Sequence, residues 1–340
     1  MNIRYIVQKA MATPLAHRHN AAKEALQQCL LVKLAQSGLL DDVAFTGGTA
    51  LRILHGLPRY SEDLDFVATN PRITDSTGKW SHALLVAMRD IGISGVHVLP
   101  TSIRKVAALE QKRVATTRIA AADPAFQSFA RDGMQVSFEI DLDPPKHIVC
   151  EPAQIQVSEQ QAEVPALTLP SLMAGKLHIL LTRMDREKGR DWYDYVWYRE
   201  RNVLPNVPQL QSAIEQTVGS EPEAKYWMSY LRERNKVVNW GNVQNDVRSF
   251  LETPAEVQKL NAVHVSNITP FPDFMAIVAE LDARGVEHPL LVKHNLVRAD
   301  ITQAMMEGNT DAVEASRRLD IYAAEMATKS FAMKKQPPNR

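Results

Sequence analysis

The chain has 340 residues, of which 45% are hydrophobic and 23% charged, with a formal net charge of zero. That length allows two domains with separate cores, and the neutral balance excludes a bulk electrostatic pull toward nucleic acid or membrane. The two cysteines, Cys29 and Cys150, lie far apart without CxxC spacing, which argues against a disulfide framework or zinc site; no signal peptide and no run of about 18 apolar residues is evident, so a cytoplasmic protein without membrane contact is expected.

In chain order, Ala22, Leu26, Leu30 and Leu34 recur at helical spacing over residues 20–40, with Asn20 as the expected cap. Val43 to Thr46 reads as a short strand and Thr49 to His55 as a short helix closed by Gly56. A second strand runs to Ala68. A polar loop over 70–79 precedes a helix from Trp80 to Ile91. A weakly alternating region follows from Ile93 to Ala120, then a clear strand from Met134 to Asp143 stopped by Pro144-Pro145. Ser171 is expected to cap a helix over Leu172 to Arg183. From Leu204 helical patterning dominates, clearest at Leu296–Met306 and Asp311–Met326. The expected division is 1–203, α/β (α+β); 204–333, mainly helical; and 334–340, a disordered tail.

Asp63 and Asp65 are two apart, so on a strand both carboxylates share a face and can hold a divalent cation. Oxygen ligands suit Mg²⁺, with Mn²⁺ as a substitute, rather than zinc. Gly47-Gly48, between strand and helix, lets backbone amides approach a phosphate at a helix N-terminus; Thr49 and Ser61 add hydroxyls and Arg59 a cation near the same mouth. The GxGxxG and GxxxxGK[ST] phosphate motifs are missing.

A glycine pair, a short helix and an hDhDh-like strand (h, apolar) resemble the opening motif of the DNA polymerase β-like nucleotidyltransferase superfamily. The twenty residues GGTALRILHGLPRYSEDLDF are similar to the signature of the AbiEii/AbiGii toxin family; the departure is from hDhDh, whose first apolar position is taken by Glu62. The resemblance implies a mixed sheet with flanking helices and a third carboxylate on a later strand. Glu139 or Asp141, on one face of the 134–143 strand, can supply it, with Glu139 preferred. It further implies that Lys176 binds the triphosphate and that Asp191 is the last acid of the site, with Asp194 one turn on if this stretch is helical. Lys188 and Arg190 add charge nearby. Gly175 stands where a polar residue is expected.

The activity implied is Mg²⁺-dependent transfer of NMP from an NTP to an RNA acceptor, plausibly the tRNA 3′ end, under control of a cognate antitoxin. A same-fold enzyme acting on a small-molecule or protein hydroxyl, and a silent nucleotide-binding toxin, are the alternatives. Five basic residues between Ser102 and Ala120 (Arg104, Lys105, Lys112, Arg113, Arg118) read either as a solvated surface or as an RNA-backbone patch. The histidines form no metal-ligand grouping, and the aromatics from Trp192 to Tyr198 are expected to pack between domains.

Overall fold

The structure, a computed structural model, describes residues 2–70, 73, 77–99, 101–106, 112–183, 187–219, 223–224 and 227–269. The expected helices at 296–306 and 311–326 and the expected tail lie outside these residues. The helices are α1 Ile3–Met11, α2 Arg18–Gln36, α3 Gly47–His55, α4 Thr77–Ile91, α5 Leu169–Thr182, α6 Gly189–Glu200, α7 Val207–Val218, α8 Trp227–Asn235, α9 Trp240–Val247 and α10 Ala262–Ile268. The strands are β1 Val43–Thr46, β2 Leu64–Ala68, β3 Val96–Val98, β4 Ser102–Val106, β5 Lys112–Ala121, β6 Met134–Asp141, β7 Cys150–Val157 and β8 Gln160–Leu167.

These strands form one mixed sheet in the order β3-β5-β6-β2-β1-β8-β7, with β4 also paired to β5. β2 runs antiparallel to β1 and parallel to β6, which sets Asp65 beside Glu139 and Val67 beside Asp141. The alternate residues make the core: Phe66 lies 5.3 Å from Phe45 and 4.5 Å from Phe138 between ring centroids, and Trp80 of α4 closes on Phe138 at 5.0 Å. One face of the sheet is thus tied down by aromatic packing while the other carries carboxylates.

The mixed sheet with flanking helices is the expected fold class. Locally, α3 starts at Gly47 rather than Thr49, Asp63 stands before β2 rather than in it, and β6 ends at Asp141 rather than Asp143. Two expected caps also differ. Asn20 lies inside α2, where its amide donates to the Ser249 carbonyl. α5 begins at Leu169 with Thr168 at its N-cap, because Pro170 falls in the first turn, where its missing N–H costs no hydrogen bond. Ser171 is therefore buried, and its hydroxyl accepts from the Val149 N–H.

Two compact units are present. The first comprises Met1–Ala224 and Trp240–Leu260, and the second Lys225–Asn239 and Asn261–Arg340. Position 203, the expected boundary, falls between α6 and α7 inside the first unit. Residues 240–260 contribute to that unit directly. Tyr60 donates its N–H to Phe250 O at 2.8 Å, Arg59 and Leu251 form a β-bridge, and Trp240 packs 5.1 Å from Trp192. The aromatics of α6 hence pack against α9 within one unit. In the second unit α8 and α10 are joined by Asn235, whose amide donates to Ala262 O and Ser266 Oγ. No helix among the described residues is long and apolar enough to cross a membrane.

Candidate active site

The Gly47-Gly48 turn is built by contact as much as by flexibility. Gly47 has φ +77°, and a Cβ there would sit 2.3 Å from Asp65 Oδ2. Gly48 would place a Cβ 2.6 Å from Arg59 Nη2 and 3.0 Å from Ser61 Oγ. Glycine at 47 is required both by the left-handed backbone and by the carboxylate against it. Thr49 is fully buried and donates its hydroxyl to the backbone carbonyl of Asp63, which ties the start of α3 to the residue before β2. Gln27 of α2 donates to Ser61 O at 3.4 Å, holding the same approach from below.

Asp63 stands immediately before β2, and Asp65 within it faces Glu139 across the parallel pair. Burial, then the negative charges of Asp63 and Glu139, push the Asp65 carboxyl up to about 7, against a smaller pull from Lys176 and Arg190. The Asp141 carboxylate, two register positions farther along, accepts from the Asp143 N–H at 3.2 Å. Among the described residues, no three His, Cys, Asp or Glu side chains are set as a finished metal cage. Oxygen-only donors crowded until one resists ionisation nevertheless fit a hard divalent cation that takes its remaining oxygens from phosphate and water.

The cations lie on the other side of the turn. Lys176 of α5 reaches Asp191 Oδ1 at 3.0 Å and Asp194 Oδ2 at 2.9 Å, both from α6. Although burial works against its charge, Asp194 and Asp191 raise the ammonium above the ordinary lysine range. Asp194 is fully buried and also takes Arg59 in a two-pronged pair, Nε to Oδ1 and Nη2 to Oδ2, each at 2.6 Å. Burial alone would raise the Asp194 carboxyl, but Arg59 and then Lys176 hold it below the usual range. Arg59, expected at the mouth, is itself buried, with its third donor on Tyr60 O at 2.9 Å. It lies beneath Gly48 rather than open to solvent.

Arg190 follows the N-terminus of α6, whose first N–H, that of Gly189, is capped by Asp246 at 2.8 Å. Its guanidinium lies 4.4 Å from the Phe250 ring centroid and 2.8 Å from Glu62 Oε2. Arg183 reaches Asp191 at 3.5 Å. A Cβ on Gly175 would meet nothing within 4 Å, so packing does not dictate that glycine.

Asp63, Asp65 and Glu139 thus gather on one side, Gly47, Gly48, Thr49 and Ser61 at the turn, and Lys176 and Asp191 beside them, with Arg190 near Glu62. The Arg59–Asp194 pair goes beyond what local sequence pattern gives; the signal available is their charge beside apolar neighbours, which demands a counter-ion if buried. Of the five basic residues between 102 and 120, only the side chains of Arg113 and Arg118 are described. Arg113 is paired with Asp143 at 2.7 Å and Arg118 is exposed.

A family model described as "Nucleotidyl transferase AbiEii toxin, Type IV TA system" matches residues 29–279. The crystal structure of JHP933 from Helicobacter pylori is 17% identical with a TM-score of 0.42, covering 78% of this chain and 98% of that one. A second H. pylori structure is 16% identical with a TM-score of 0.42, covering 78% and 97%. No match was found among curated proteins.

Proposed function

The chain belongs to the AbiEii family of nucleotidyltransferase toxins of type IV toxin–antitoxin systems, and from that premise we propose a Mg²⁺-dependent transfer of NMP from an NTP to an RNA hydroxyl, with the tRNA 3′ end as acceptor. The family implies a nucleotide substrate and an antitoxin partner. The observation that carries the finer reading is the acidic face itself: Asp65, directly against the glycine turn, is pushed up to about 7 by burial and then by Asp63 and Glu139.

In this reading Asp63, Asp65 and Glu139 hold the divalent ion, with Asp141 outside the set because it lies two register positions beyond, opposite Val67. The bound ion would neutralise phosphate charge and make the acceptor oxygen more nucleophilic. Gly47 and Gly48 present backbone N–H groups at the start of α3, where an anion is favoured. Ser61 adds a hydroxyl, while Lys176 and Arg190 meet the β- and γ-phosphates. Thr49 and Arg59 act behind the turn, Thr49 by fixing the Asp63 backbone and Arg59 by supporting Gly48. The acceptor oxygen bonds to the α-phosphorus as the bond to the bridging oxygen breaks, and pyrophosphate leaves.

The test uses the full-length protein with Mg²⁺, each labelled NTP in turn, and total tRNA. Label is expected in tRNA and should be lost in Asp63→Ala and Lys176→Ala. Transfer that persists in Asp63→Ala overturns the cation assignment. Turnover only with a small or protein hydroxyl overturns the tRNA acceptor.

A further inference from the structure

We propose that Glu62 is an internal stand-in for the nucleotide's phosphate: it holds Arg190 until a triphosphate displaces it, and so sets the affinity of the site for NTP. This rests on the nucleotidyltransferase reading and on Arg190 as a phosphate contact. Glu62 occupies the position before Asp63 where the superfamily's hDhDh pattern has an apolar residue. The structure gives the acid a partner from a distant part of the chain, with Glu62 Oε2 2.8 Å from Arg190 Nη1.

Arg190 is fixed by more than that pair. Its guanidinium lies 4.4 Å from the centroid of the Phe250 ring, and Phe250 is anchored by the Tyr60 N–H on its carbonyl. Glu62 directly precedes Asp63, so the pair sets Arg190 near the acidic face. The stack can therefore keep the planar cation in place while its anionic partner is exchanged. Carboxylate and phosphate oxygens are equivalent acceptors for a guanidinium, and the triphosphate brings more charge.

Solvent exposure decides which acid can leave. The Glu62 side chain is 40% exposed, so it returns to water at little cost. Asp194, which holds Lys176, is 0% exposed and carries Arg59 as well, so the same exchange there would strand a buried charge. The Arg190–Glu62 pair is the exchangeable contact and the Lys176–Asp194 pair the fixed one.

The experiment is a double-mutant cycle on the full chain, with wild type, Glu62→Gln, Arg190→Gln and the double variant, each titrated calorimetrically with the α,β-methylene analogues of the four NTPs in Mg²⁺ at low ionic strength. Glu62→Gln is expected to bind roughly two- to fivefold tighter than wild type, the range a part-exposed ion pair supports, and the gain should shrink as salt is raised. In the Arg190→Gln background the same substitution should change nothing. An unchanged or weakened affinity in Glu62→Gln overturns the proposal. So does an equal gain in both backgrounds, which would mean that Glu62 acts only through its charge near Asp63. If wild type binds none of the four analogues, the nucleotidyltransferase reading fails and takes this inference with it.

Discussion

Two clusters of ionisable side chains flank the Gly47-Gly48 turn and obey opposite electrostatics. At the sheet, burial and then the like charges of Asp63 and Glu139 push Asp65 up to about 7. Under the turn, Arg59, Lys176, Asp191 and Asp194 pair off at 2.6 to 3.0 Å. The second cluster is neutralised from within the protein. The first is not, and the proposed assignment of Asp63, Asp65 and Glu139 to a cation rests on that contrast.

The largest effect is expected on the support. Asp194→Ala leaves Arg59 and Lys176 buried without their shared anion, and should cost about 3–5 kcal/mol of stability in a denaturant titration. A loss below about 1 kcal/mol would erase the distinction between the clusters. Asp63→Ala should do the reverse: unchanged or higher stability, and nucleotidyl transfer reduced by roughly 10²–10³-fold, the scale of removing one charge-stabilising group. Comparable loss of folding in both variants would make Asp63 structural.

pH sharpens the same comparison. The folded-state value for Asp65, about 7, lies above the ordinary 3.8, so folding favours its protonated form. Its contribution is fully present below about pH 4 and is lost as pH rises through 7. Asp65→Asn should therefore flatten the decline in melting temperature of the metal-free protein between pH 5 and 8. Added Mg²⁺ should raise the melting temperature of wild type at pH 8 but not that of Asp65→Asn. Parallel pH curves for the two proteins would remove the argument for a cation site. The smallest effect is a control outside both clusters: Gly175→Ala, with open space for its Cβ, should stabilise α5 by about 1 kcal/mol without altering transfer.

The glycine turn, Asp65 and the 134–141 strand were legible because each obeys a local rule, positive φ at Gly47 and period-two alternation at Phe66 and Phe138, whereas Asp63, expected on the same strand face as Asp65, stands just before β2. The β7–β8 hairpin was not. Its turn passes through Ser158 at φ +55° with no Asn-Gly or Asp-Gly signal, and Pro152 faces Pro165 in the strands. α1 was missed although Asn2 caps it through the Arg4 N–H. The Arg59–Asp194 pair spans 135 residues, and local periodicity carries no information on a contact of that range. The return of residues 240–260 to the first unit was hidden for the same reason.

That return has a practical side for anyone shortening the gene. A polypeptide stopped at residue 203 would keep every carboxylate of the acidic face, along with Lys176, Asp191 and Asp194. It would lose Asp246, which caps the first N–H of α6, together with Trp240 against Trp192 and the Leu251 bridge to Arg59. The first unit is thus discontinuous in the gene though compact in space, and residues 240–260 pack against α6, which carries Asp191 and Asp194.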